Sequence, residues 1–119
     1  SDHRTQSVYY AITFRNHLPE GQQLCSFQIG MDPIIYYLDS PVNRLETIGE
    51  IEKELEEKKR LTLIAHRSGT HILKNFGTLR VLHYFQVKHD YIMPKEADWV
   101  VVELKRKQRS VQLAQKKSE

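Results

Sequence analysis

Asp90, Glu103 and Lys105 are the residues whose types and spacing best suit work on a phosphate. His89-Asp90-Tyr91-Ile92 leads into a polar turn over residues 94–98 and then into Trp99-Val100-Val101-Val102-Glu103-Leu104-Lys105. Side chains two apart on a strand share a face, so Glu103 and Lys105 stand on the side that carries Trp99 and Val101. If residues 88–93 pair with that strand as a hairpin, Asp90 approaches Glu103. Two carboxylates and a lysine at one sheet edge would hold Mg²⁺, activate a water and steady the charge that builds on phosphate.

This pattern resembles the PD-(D/E)xK nuclease core, with Asp90 at the first acidic position and Glu103-Leu104-Lys105 as the E-x-K. The resemblance is confined to residues 90–105. It implies a metal-dependent nuclease with Mg²⁺ as cofactor, Asp90, Glu103 and Lys105 as catalytic residues, and a further acid from a preceding helix, Glu50 or Glu54. The competing reading is a strand end whose charges simply reach water. Under it the chain is not an enzyme and has no cofactor.

Other chemistries find less in the sequence. The six histidines include no HExxH spacing, and a single cysteine, Cys25, excludes both an internal disulfide and a multi-cysteine zinc site. Ser68, His66 and Asp90 could be assembled into a triad, but no nucleophile elbow supports one. Ser68-Gly69-Thr70 reads as an ordinary helix cap, and no glycine-rich phosphate loop is present.

Charge gives the broader signal. The net charge is +3, but its distribution is uneven. Arg67, Lys74, Arg80 and Lys88 face Asp90 alone over residues 61–90. Lys105, Arg106, Lys107, Arg109, Lys116 and Lys117 face only Glu119 over residues 104–119. Clustered lysine and arginine mark polyanion binding through phosphate contacts and counterion release. Arg80, Tyr84 and Lys88 would share a strand face, an arrangement that stacks bases and neutralises phosphates. The leading expectation is therefore a non-enzymatic basic module that contacts RNA or DNA, alone or in a nucleoprotein assembly. Arg67, Lys74, Arg80, Lys88, Lys105, Arg106, Lys107 and Arg109 are the expected phosphate contacts. A metal-dependent nuclease is the first alternative, and a protein-interaction domain using a sheet edge is the second.

These residues must be held by a single domain, since 119 residues with 39% apolar content suffice for one core. No apolar run approaches the ~18 residues of a membrane span, so an intracellular, cytoplasmic chain is expected, with no membrane partner. Alternation and β-forming residues predict strands over 8–14, 24–29, 61–66, 79–88 and 99–105, and the apolar run 34–38 predicts a buried one. Ser40-Pro41 and the stripe Val42, Leu45, Ile48, Ile51, Leu55 predict a helix over 41–58. A short helix is expected over 70–76, ending at Gly77 as its C-cap. The fold class is α+β: a mixed or mainly antiparallel sheet of about five to six strands with helices mainly on one face. Residues 1–105 form the domain, and 106–119 form a basic C-terminal helix or arm.

Overall fold

The computed structural model describes residues 3–85 and 98–107. Its first element is a helix, α1 (His3–His17), where alternation predicts a strand. Ser7, Tyr10, Ala11 and Phe14 are buried, at the three- and four-residue intervals of one helical face. Ile12, which a strand would bury beside Tyr10 and Phe14, is 48% exposed. Burial of the aromatic face outweighs the β-propensity of this stretch.

The strand expected over 24–29 is present as β1 (Leu24–Phe27), two residues shorter. The next apolar run is again helical. In α2 (Asp32–Leu38), Pro33 opens the first turn and Ile34 and Leu38, four apart, are buried, while Tyr36 between them is 80% exposed. The expected helix over 41–58 divides into two elements. Asn43–Leu45 is β2, which pairs with β1, and α3 runs only from Ile48 to Lys58. The cap is Thr47 rather than Ser40: its side chain accepts from the Glu50 N–H, and the Glu50 carboxylate accepts from the Thr47 N–H. This reciprocal box satisfies two donors that a start at Pro41 would leave elsewhere. Leu45 is buried as a strand residue, while Ile51 and Leu55 are buried from the helix.

The remaining elements are β3 (Arg60–His66), a single 3₁₀ turn (Arg67–Gly69), α4 (Thr70–Leu73), β4 (Gly77–Tyr84) and β5 (Trp99–Arg106). Gly77 opens β4 instead of capping a helix. A Cβ there would collide with the Lys105 carbonyl on β5, so the absent side chain lets the two strands close up. The basic residues 108–119 and the expected strand end 86–88 lie outside the described residues.

Among the described residues the chain is α+β, with four α-helices and one five-stranded mixed sheet in the order β2-β1-β3-β5-β4. β1 is parallel to β2 and β3, and β5 is antiparallel to β3 and β4. Parallel neighbours require crossovers, which α2 and α3 supply. Strand alternation then fills two cores. Leu24, Ile64, Trp99 and Val101 pack with α1 and α2 on one face. Cys25, Leu61, Leu63, Ala65, Val100, Val102 and Leu104 pack with α3 and α4 on the other. Helices therefore cover both faces, not mainly one. With the parallel strands buried on both sides, a polar face is absent from most of the sheet's length.

His17 at the end of α1 meets His83 of β4, with ring centroids 5.1 Å apart. Burial, and then the neighbouring His17, hold His83 below its ordinary pKa. A histidine depressed in the fold stabilises it while neutral. That contribution is complete above the unfolded value of about 6.5 and is lost as pH falls through the depressed folded value. Thermal melts are expected to lose stability on acidification below about pH 6.5, and His83→Gln to flatten that part of the profile. An identical pH profile in the variant would show that this pair carries none of the dependence.

Candidate polyanion interface

The E-x-K residues sit on β5, and β5 runs antiparallel between β3 and β4. Thr62, Glu103 and Arg80 form one rung across the three strands, and Arg60, Lys105 and Thr78 form the next on the same face, two residues on. The Glu103 side chain is only 15% exposed and lies between two guanidinium groups, 3.8 Å from Arg60 and 3.5 Å from Arg80. Its charge is thus matched by protein cations. Asp90 falls outside the described residues. Glu50 and Glu54 do not join Glu103, because α3 packs on the Val102 and Leu104 face while Glu103 belongs to the Val101 face. Glu50 is engaged in the helix cap, and the shielded Oε2 of Glu54 faces the Lys58 ammonium at 3.1 Å. Among the described residues no three histidine, cysteine or acidic side chains gather as a metal site. Cys25 is buried, and burial, and then Glu54, push its thiol up to about 11.

The expected phosphate contacts separate into groups. Arg67 lies at the far end of β3 with its guanidinium 5.0 Å from the Tyr84 ring centroid. Lys74 is in the turn after α4. Lys88 and Arg109 lie outside the described residues. Arg80 and Tyr84 do not share a face as expected, because a bulge between Val81 and His83 shifts the register. Arg80 stands opposite Glu103 and Tyr84 opposite Val100, on the two different sides of the sheet.

Lys105, Arg106 and Lys107, by contrast, gain neighbours that the sequence reading missed. The β3–β5 register sets Arg60 opposite Lys105, and the Arg106 N–H donates to the Lys59 carbonyl at 2.8 Å. The triplets Lys58-Lys59-Arg60 and Lys105-Arg106-Lys107 therefore meet at one end of the sheet, with Arg80 on the adjoining strand. Glutamates conceal the first triplet in the sequence, since residues 52–57 carry five acidic or basic residues of which four are Glu. In the fold those charges are partly spent locally: Glu54 pairs with Lys58 and Glu56 with Arg106 at 3.3 Å. The Glu54 contact also holds the Lys58 ammonium above its ordinary pKa. Lys59, Lys105 and Lys107 have no carboxylate partner among the described residues, and all three are exposed. Lys59 turns out of α3 in a left-handed conformation, φ 70°, which ends the helix and starts β3.

No protein-family model matches the chain, and no curated protein or solved structure matches it.

Proposed function

We propose that the chain is a non-enzymatic α+β binding module that docks the phosphates of RNA or DNA on this basic end of the sheet. The observation that carries the reading is the meeting of two lysine–arginine triplets through the β3–β5 register and the Arg106–Lys59 hydrogen bond. Cations distant in sequence but fixed on one rigid edge form a local positive field, which attracts a polyanion and releases its counterions. Lys59, Lys105 and Lys107 are the contacts with free charge; Arg60, Arg80 and Arg106 are oriented by carboxylates and present their remaining N–H groups. The nuclease alternative has less support, since Glu103 is held by two arginines and α3 sends it no second acid.

Binding of a fluorescent oligonucleotide across a salt series tests this. Three lysine–phosphate contacts give a slope of log K against log salt of about −3 for a duplex and about −2 for a single strand. Absence of binding at low salt, to either form of RNA or DNA, would remove the reading and leave a protein partner on the β4 edge of the sheet as the alternative. Strand cleavage that appears with Mg²⁺ and stops with chelator would instead restore the nuclease assignment.

A further inference from the structure

Beside the basic end lies an open cavity of about 320 Å³, lined by Gly21, Gln22, Gln23, Lys58, Arg60 and Leu61. That volume falls at the lower end of small-molecule sites, about 300–1,000 Å³. Lys58 and Arg60 approach it from the α3–β3 junction, and the loop before β1 supplies the two glutamines. The Gln22 Oε1 accepts from Thr62 Oγ1 at 2.9 Å, which fixes the amide and leaves its Nε2 hydrogens without a partner among the described residues. Gln23 is anchored by donation to the Pro41 carbonyl at 3.3 Å. The carboxylates that pair with Lys58 and Arg60, Glu54 and Glu103, do not line the cavity. The lining therefore presents two cations and an amide donor around the apolar Leu61, with no negative side chain.

We infer that this cavity is a subsite for a phosphate monoester, supplied either by the phosphorylated end of a strand or by a free mononucleotide. The inference rests on the polyanion reading and adds a substrate preference to it. A monoester carries close to two negative charges at neutral pH where a backbone diester carries one. Lys58 and Arg60 are each backed by a carboxylate, so they meet the monoester through the N–H donors they turn to the cavity, together with the Gln22 amide, and a guanidinium binds phosphate oxygens through paired N–H groups. The anchored glutamines hold the opposite wall in place.

The test compares otherwise identical oligonucleotides carrying a phosphate or a hydroxyl at the 5′ end, and likewise at the 3′ end. One phosphorylated form is expected to bind about tenfold more tightly, the effect of one charge-assisted hydrogen bond. Arg60→Gln and Lys58→Gln should each bring the affinities for the phosphorylated and hydroxyl forms together, over and above any loss common to both forms. Equal affinities in the unaltered protein, or a preference that survives both substitutions, would overturn the subsite. Adenosine 5′-monophosphate, followed by amide chemical shifts, separates this inference from the broader one. Shifts confined to residues 21–23 and 58–61, without oligonucleotide binding, uphold the cavity and discard the polyanion face. Neither oligonucleotide binding nor such shifts would overturn both.

Discussion

Phe14→Ala is expected to cost about 3–5 kcal/mol of folding stability, a large share of the roughly 5–15 kcal/mol available to a domain. Phe14 is fully buried, and its ring lies 5.7 Å from Phe85 and 6.0 Å from Tyr10, with Tyr10 in turn 5.3 Å from Trp99. Truncation removes the ring's apolar burial and opens a cavity between helix and sheet that rigid neighbours cannot collapse into. Ile12→Ala on the same helix should cost far less, because Ile12 is 48% exposed. Denaturant unfolding of the two variants decides between helix and strand for this segment. Equal losses would mean that Ile12 and Phe14 share a buried face, as in a strand, and would refute the position of α1.

That contrast shows where the sequence was readable. Leu24–Phe27, Arg60–His66 and Trp99–Arg106 were legible because each is a run of apolar β-formers bounded by polar residues, and each is buried from both faces. The stretches that became α1 and α2 carry the same residue types. Short apolar runs suit a buried helix as well as a strand, and only the neighbours choose. The start of α3 was obscured for another reason. Val42 and Leu45 fall in phase with Ile48, Ile51 and Leu55, so a strand residue continued the helical stripe by coincidence. The local signal at Thr47 and Glu50 was present in the sequence as a capping box and would have corrected the boundary.

The candidate site was half legible for a related reason. Lys105, Arg106 and Lys107 stand out because few acids surround them, whereas Lys58, Lys59 and Arg60 follow a run of glutamates. Summing charge along the chain cancels the second group. Summing it in space does not, because the strand register carries Arg60 to Lys105 while the outer turns of α3 stay beside their own partners. Pairing between distant strands is information that no local window contains. The same register explains why the aromatic–basic face failed: one bulged residue in β4 sends Arg80 and Tyr84 to opposite sides.

The triple substitution Lys59→Gln, Lys105→Gln, Lys107→Gln should therefore give the largest functional loss. Each phosphate contact adds about 0.9 to the salt slope on a duplex and 0.7 on a single strand. At about 0.1 M salt, losing three such contacts lowers affinity by roughly 100-fold for a single strand and several hundredfold for a duplex, and flattens the slope by about two to three. Stability should change by no more than about 0.5 kcal/mol per site, because these side chains are exposed and hold no carboxylate in place. Arg67→Gln is the discriminating control. Arg67 follows β3 at the end opposite Arg60, roughly 20 Å away at strand rise, and its guanidinium lies over Tyr84. A scattered basic surface would lose as much from Arg67 as from any one lysine. An interface built by the meeting of two triplets keeps nearly all its affinity without Arg67, and equal losses per residue would show that the convergence at the end of the sheet is not what binds.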